Sequence, residues 1–213
     1  MTIDIEIWSD VACPWCYLGK RRLEEAVEAS GEEVSVRYRS FQLDPTIPHG
    51  HHTPHTEALA KKFNATPDQV REMNQRIVDL GVEAGISYDF DSYIMANTRD
   101  AHRLLHLAHE RGLGPQLKER LMRAQFTEGA IIDDVDTLVR LATEVGLDAA
   151  EARSVLTSDA YEDAVAADIA QAAAYGANGV PFFVFDRAFA ISGAQPVETF
   201  ALALSKAREA RGS

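Results

Sequence analysis

The chain has 213 residues, of which 46% are hydrophobic and 25% are charged. This length suits one core with an inserted subdomain, and no stretch approaches the roughly 18 apolar residues that a membrane helix needs. Asp and Glu number 33 against 21 Lys and Arg, so the formal net charge is −12. Such a charge repels phosphate backbones and anionic lipid surfaces, which predicts a globular protein that binds neither nucleic acid nor membranes.

The first 41 residues predict a β-α-β unit. Residues 3–8 alternate isoleucine with acidic positions, which is the period of a strand. From Pro14 to about Ser30 the apolar residues recur at helical spacing, and Pro14 suits a first turn, where no N–H is required. Gly31 ends this helix. Residues 33–41 return to a period of two and are rich in β-branched and aromatic side chains, as strands are.

The middle of the chain predicts helices. Residues 44–55 contain three prolines and four histidines, a composition that favours an irregular connection. From residue 56 to about 175 we find only helical patterns, and about five to seven helices fit between the glycine- and proline-containing turns. Residues 97–100 and the pair Asp133–Asp134 provide capped helix starts.

The last part of the chain predicts two more strands and a helix. Residues 180–185 form a continuous apolar run, which is typical of a buried central strand. Asp186 and Arg187 turn the chain into a hairpin partner at 189–192, and an amphipathic helix follows at 197–211. We therefore assign residues 1–44 and 176–213 to one discontinuous domain, joined by a helix around 161–175. Residues 45–160 form a helical insertion.

The two cysteines of the chain lie three residues apart at the predicted start of the first helix. A thiolate is the species that attacks a disulfide, and the free N–H groups of a helix N-terminus favour an anion. We expect Cys13 to be the attacking sulfur, with a pKa below its usual value, and Cys16 to displace it from a mixed disulfide. Pro14 and Trp15 carry no charge, so they tune the pair through backbone geometry and packing.

A zinc site is an alternative reading of the same cysteine spacing. Its further ligands would come from the histidines of residues 49–55, although helix-initial cysteines suit redox chemistry better and bunched histidines are common in exposed loops. His102, His106 and His109 share one face of a predicted helix, at a spacing that can also bind metal. Because leucines already mark the core side of that helix, we expect some of these histidines to lie at its edge and the group to hold no metal.

Six motifs spread over nearly the whole chain carry a family resemblance. They are SDVACPWCYLG at 9–19, FQLDP at 41–45, NTRDAHR at 97–103, FTEG at 126–129, GVPFF at 179–183 and SGAQ at 192–195. In these motifs the chain resembles the DsbA-like thioredoxin-fold proteins of the FrnE-like oxidoreductase group. The resemblance implies an α/β thioredoxin fold, β-α-β and β-β-α, with a large all-helical insertion between the two halves. It also implies a redox-active disulfide between Cys13 and Cys16 and no bound cofactor.

The resemblance assigns roles to further residues. It implies a cis peptide bond before Pro181, in place of an ordinary trans proline, with Pro181 against the two sulfurs. The backbone of Val180 would then be free to pair with an extended substrate. Five other positions are implied as lining of the substrate pocket: Phe41, Asn97, Thr98, His102 and Gln195.

Two enzyme classes stay open at this point. The related kappa-class glutathione transferases and 2-hydroxychromene-2-carboxylate isomerases also insert helices into the thioredoxin fold. They usually carry serine at the position of Cys13 and an Asp-Arg pair at the position of Gln195–Pro196, so their pattern is broken twice. We expect a thiol-disulfide oxidoreductase. The alternative is a glutathione-dependent isomerase or transferase acting on a small aromatic metabolite.

The sequence also suggests partners and a compartment. We expect thiol or disulfide substrates, either proteins or small molecules, with glutathione as a candidate. A cytoplasmic location is expected because the chain has no structural disulfide framework and its first residues predict a strand instead of a secretory signal. The direction of redox flow and the oligomeric state are left open.

Overall fold

The fold was analysed in a computed structural model, which describes residues 2–212. Within these residues the strands are β1 Ile3–Ser9, β2 Val34–Ser40, β3 Thr53–Pro54, β4 Ile94–Met95, β5 Phe182–Phe185 and β6 Phe189–Ser192. The helices are α1 Pro14–Ser30, α2 His55–Phe63, α3 Pro67–Glu83, α4 Arg99–Glu110, α5 Gly114–Thr127, α6 Val135–Glu144, α7 Ala149–Leu156, α8 Glu162–Ala174 and α9 Val197–Gly212. None of the described helices is long and apolar enough to cross a membrane.

Four strands form one mixed sheet in the order β2-β1-β5-β6. β1 is parallel to β2, with Ile3 opposite Val34, because α1 connects them as a crossover helix. β5 is antiparallel to β1, with Trp8 opposite Phe182, and β6 is antiparallel to β5. This arrangement confirms the predicted β-α-β and β-β-α halves of a thioredoxin fold.

The two faces of the sheet bury different residues of β1. Ile3, Ile5 and Ile7 are almost fully buried in one cluster with side chains of α1, β5 and α9. Burying a side chain of this size contributes roughly 1.5–3 kcal/mol. On the opposite face Trp8 is fully buried, and its Nε1 donates a hydrogen bond to the Asp168 carbonyl of α8 at 2.7 Å. Helices therefore cover both faces of the sheet.

The segment between the two halves is mainly helical and contains α2 to α7. Helices α4 to α7 share a buried apolar cluster of their own, which includes Leu104, Leu121 and Leu141. The prediction of helices alone was wrong in one detail, because Thr53 of β3 pairs with Met95 of β4. Strands of two residues are too short to show a hydrophobic period. The division of the chain at residues 44 and 160 stays a prediction.

Candidate active site

Both cysteines lie at the start of α1, directly after β1 and a short loop. Cys13 is the residue that precedes the helix, with extended backbone angles, and Pro14 occupies the first turn. The backbone N–H groups of Cys16 and Tyr17 donate to the Cys13 carbonyl at 3.0 and 3.3 Å. Both cysteines are free thiols and are buried, with exposed fractions of 3% and 2%.

The loop before β5 brings Val180 and Pro181 to this helix start. The Cys13 Sγ thiol donates to the Val180 carbonyl, with 3.7 Å between the sulfur and the oxygen. The Val180–Pro181 peptide bond is cis, as the resemblance implies. The Pro181 carbonyl accepts a hydrogen bond from the Gly193 N–H at 2.8 Å, which ties the loop to the end of β6. Residues from the two ends of the chain thus meet at the Cys13 sulfur.

Gly19 makes this close approach possible, although no role was predicted for it beyond its place in a motif. A Cβ atom on Gly19 would lie 2.9 Å from Pro181 Cγ and 3.2 Å from Phe183 Cζ. Contacts shorter than about 3.5 Å between carbon atoms are repulsive. The missing side chain therefore allows α1 to pack directly against Pro181.

Two tyrosines from the insertion hold the loop that carries Cys13. The Tyr93 hydroxyl donates to the Ala12 carbonyl at 3.0 Å, and the Tyr88 hydroxyl donates to the Pro14 carbonyl at 2.7 Å. Their rings pack with Phe90 and Phe126 in one apolar cluster that also contains both cysteines. No sequence signal pointed to these tyrosines, because the contacts bridge segments about 80 residues apart.

A buried acid, Asp10, begins the loop that leads from β1 to Cys13. Its Oδ1 accepts a hydrogen bond from His102 Nε2 at 3.2 Å, and its Oδ2 accepts one from the Leu43 N–H at 2.8 Å. Burial raises the pKa of the Asp10 carboxyl, but these hydrogen bonds hold it below its usual value. Burial lowers the pKa of His102. A neutral imidazole therefore donates to a carboxylate, and this hydrogen bond holds Asp10 in place.

The lining of a substrate pocket by Phe41, Asn97, Thr98, His102 and Gln195 stays a prediction, and the structure places these residues as follows. A cleft of about 50 Å³ adjoins Ala12, with Leu43, Tyr93 and Thr98 in its walls. Phe41 is not in the wall of this cleft. Like Val180, it packs against the buried cluster around Trp8. The remaining candidates have structural contacts: Asn97 Nδ2 donates to the Ile47 carbonyl at 2.6 Å, and Gln195 Nε2 donates to the Ser192 carbonyl at 2.8 Å. Trp15 is 37% exposed beside the cysteines.

A larger cavity, of about 410 Å³, lies at the opposite end of β1 and contains no cysteine. Its walls carry acidic and basic side chains, and several of these side chains already form ion pairs with each other. Arg39 pairs with Glu6, and Arg211 pairs with Asp186. Because this cavity begins at Asp4, whereas Cys13 follows the far end of the same strand, we place the site at the cysteines.

The histidines of residues 49–55 contact different partners and do not meet at one site. His52 Nε2 lies 2.6 Å from Asp133 Oδ1, and His49 Nε2 lies 3.2 Å from Asp100 Oδ2. The expectation of a solvated loop was wrong for His55, which is buried and stacks on Phe90 and Tyr93. Burial lowers the pKa of His55 to about 4. Over residues 2–212, no three His, Cys, Asp or Glu side chains are grouped to hold a metal ion.

The expected low pKa of Cys13 is contradicted. A hydrogen bond with the Cys16 thiol and burial raise the pKa of Cys13 well above its usual value, and the negative charge of Asp10 adds to this. The backbone N–H of Cys16 acts in the opposite direction. The low pKa was predicted from the helix N-terminus alone, whereas the neighbouring Cys16 thiol and burial both disfavour the anion.

A dithiol at the start of the first helix, beside a cis-proline loop and a four-stranded sheet, defines a thioredoxin-fold protein with a Cys-x-x-Cys site. The profile of the DsbA-like thioredoxin domain matches residues 4–205. The chain belongs to this family. The FrnE-like grouping fits this assignment.

Individual relatives agree with the family. The chain is 42% identical to a probable DsbA oxidoreductase from Streptomyces coelicolor, whose crystal structure superposes with a TM-score of 0.92 over 97% of this chain and 90% of that one. It is 30% identical over 164 residues to the uncharacterised protein YwbO of Bacillus subtilis, or 76% of each chain. The cytosolic disulfide reductase DsbM of Pseudomonas aeruginosa shares the fold, with 20% identity, a TM-score of 0.67 and coverage of 96% and 98%.

Proposed function

We propose that the chain is a thiol-disulfide oxidoreductase in which Cys13 attacks and Cys16 resolves. The observation that supports this most directly is the 3.7 Å contact between Cys13 Sγ and the Val180 carbonyl. A substrate that pairs in extended form with the Val180 backbone would present its sulfur to Cys13. The proposed substrates are thiols or disulfides, either proteins or small molecules, with glutathione among the candidates.

The proposed reaction has two exchange steps. The Cys13 thiolate attacks one sulfur of a substrate disulfide, the substrate S–S bond breaks, and one substrate thiolate leaves with the electron pair and takes up a proton. Cys16 then gives up its proton and attacks the Cys13 sulfur, which releases the second substrate thiol. The protein dithiol has lost two electrons and the substrate has gained them. A reducing thiol, such as glutathione, reverses these steps on the protein disulfide.

The environment of Cys13 supports reduction of substrates over strong oxidation. Strong oxidants of this fold are oxidising because their reduced form is stabilised, largely as a thiolate. Here the raised pKa of Cys13 favours the thiol, so the reduced form gains little. We propose that the enzyme acts in the cytoplasm, since its only two cysteines are the reactive pair and that compartment keeps thiols reduced.

The alternative, a glutathione-dependent isomerase or transferase, would use Cys13 alone. Burial of both sulfurs in the same apolar cluster favours a reaction that uses the pair. The test is reduction of insulin or glutathione disulfide by the wild type, Cys13→Ser and Cys16→Ser, with the isomerisation of a small aromatic substrate assayed on the same samples. The proposal predicts that the wild type turns over the disulfide substrate and that both variants lose this turnover. Disulfide reduction by Cys13→Ser at the wild-type rate would refute it.

A further inference from the structure

The cavity of about 410 Å³ at the end of β1 opposite the cysteines has polar walls. They are formed by β1, β2 and the turn after β5, together with the last turns of α4 and α9. Of the ten residues in these walls only Ile5 is apolar. Every carboxylate among them already has an arginine partner: Glu6 pairs with Arg39 and Arg187, and Asp4 and Asp186 pair with Arg211. The volume is that of a small-molecule site, and the walls suit a polar ligand.

Two wall residues, Arg37 of β2 and His109 of α4, have no such partner. Arg37 lies opposite Glu6 in the register of the two parallel strands, so both side chains lie on the same face of the sheet. The Glu6 carboxylate, however, contacts the other arginines. Across residues 2–212, neither the Arg37 nor the His109 side chain forms a hydrogen bond or an ion pair. Both side chains are half-buried, and their N–H groups are free to bind a ligand.

The charges on these two residues determine which ligand fits. Burial lowers the pKa of His109, and the nearby Arg37 adds to this, so the imidazole is neutral at pH 7 and donates a single N–H. Burial and Arg39 lower the pKa of Arg37, but a guanidinium keeps its charge in proteins. Glu6 and Asp168 attract Arg37 only at longer range. One positive charge is thus left without a counter-ion in contact.

We propose that the cavity binds a small polar molecule with one carboxylate, which Arg37 and His109 hold. The planar guanidinium donates two parallel N–H groups to the two oxygens of a carboxylate. A single negative charge matches the unpaired charge of Arg37. A phosphate ester carries about two negative charges at neutral pH, which the wall carboxylates and the net charge of −12 disfavour. The other polar wall residues bind hydroxyl groups of the ligand.

Nuclear magnetic resonance of ¹⁵N-labelled protein tests the proposal, with the Arg37 Nε–H and the backbone N–H of His109 as reporters. The probes are sodium acetate, sodium gluconate, glucose and inorganic phosphate, each titrated at constant ionic strength set with sodium chloride. We expect saturable shifts of both reporters with the two carboxylates, and tighter binding of gluconate because its hydroxyl groups meet the polar walls. Glucose, which has no carboxylate, should give no saturable shift. Phosphate should bind more weakly than gluconate.

Variants locate the binding in the cavity. Arg37→Gln should weaken gluconate binding by about tenfold or more, because a charged hydrogen-bond donor is lost, and His109→Leu by about two- to tenfold, because a neutral donor is lost. Arg37→Thr gives a second neutral side chain that suits a strand, should Arg37→Gln fail to fold by circular dichroism. The control is Arg76→Gln on α3, which removes an exposed arginine outside the cavity and changes the net charge equally. It should bind gluconate like the wild type.

Each outcome decides one part of the proposal. A wild type without saturable shifts in both acetate and gluconate would overturn it, as would a folded neutral variant of Arg37 that binds gluconate normally. An equal loss in Arg76→Gln would mean that the net charge, and not the cavity, attracts the probe. Tighter binding of phosphate than of gluconate would overturn the choice of a carboxylate, and normal binding by His109→Leu would remove His109 from the site. Saturable carboxylate binding that is weakened in the Arg37 and His109 variants but not in Arg76→Gln supports the whole proposal.

Discussion

Gly19 of α1 and Pro181 of the loop before β5 are packed so closely that there is no room for a side chain between them. A Cβ atom on Gly19 would come within 2.9 Å of Pro181 Cγ. Pro181 follows Val180, whose carbonyl accepts from the Cys13 thiol. The position of the Val180 backbone therefore depends on a residue in the second turn of the helix.

The first prediction concerns this contact. Gly19→Ala should destabilise the protein by about 1–3 kcal/mol, which is the usual cost of overpacking, and should slow disulfide reduction by displacing Val180. Urea unfolding and an insulin-reduction assay measure the two effects. The control is Gly212→Ala in α9, where a Cβ would meet nothing within 4 Å. A Gly19→Ala variant as stable and active as this control would show that the contact is not important.

The pKa of Cys13 gives the second prediction. Because Cys16 is the largest cause of the raised value, Cys16→Ala should lower the pKa of Cys13. The thiol stays protonated below its pKa, so the rate of alkylation should rise with pH, and in the variant this rise should begin at a lower pH. Iodoacetamide alkylation followed by intact mass measures it. Superimposable pH profiles in the two proteins would rule out this cause.

The redox potential is the third prediction. Since a raised thiol pKa gives the reduced form no thiolate stabilisation at neutral pH, the potential should lie nearer the reducing value of about −270 mV than the oxidising value of about −120 mV. Equilibration with glutathione buffers, followed by trapping of free thiols, measures it. A value close to the oxidising limit would contradict the proposed reducing direction.

His55 gives the fourth prediction. Burial lowers its pKa to about 4, so between pH 4 and about 6.5 the unfolded chain binds a proton there that the native state does not. The free energy of unfolding should therefore fall as the pH is lowered through this window. His55→Phe keeps the stacking on Phe90 and Tyr93 and removes the buried Nδ1, which has no partner among the described residues.

Unfolding of this variant and the wild type at two pH values makes the test. The free energy of unfolding of His55→Phe minus that of the wild type should be about 2 kcal/mol larger at pH 5 than at pH 8. The measurement at pH 8 is the control, because His55 is neutral there in both states. An equal stability difference at both pH values would mean that His55 takes up its proton in the folded protein.

Much of this fold could be predicted because its signals are local. The alternation of Ile3, Ile5 and Ile7 and the apolar run of β5 reflect burial of one face or of both. The proline at the start of α1 marks a first turn, where no N–H is required. Cys13 and Cys16 could be placed for the same reason, since their spacing and the helix start lie within four residues.

The surroundings of the cysteines could not be predicted, because they are formed by distant segments. Tyr88 and Tyr93 reach the Cys13 loop from the insertion, and the burial that contributes to the raised pKa of Cys13 was not visible in the sequence.

The most direct test of the central claim is the fate of substrate on Cys16→Ser. Only a disulfide exchanger forms a covalent adduct that its own second cysteine must break. The variant mixed with a disulfide substrate should therefore accumulate a mixed disulfide on Cys13, visible by non-reducing gel and intact mass and released by dithiothreitol. Cys13→Ser, measured in parallel, should form none. Adduct-free Cys16→Ser protein with full activity would contradict the account.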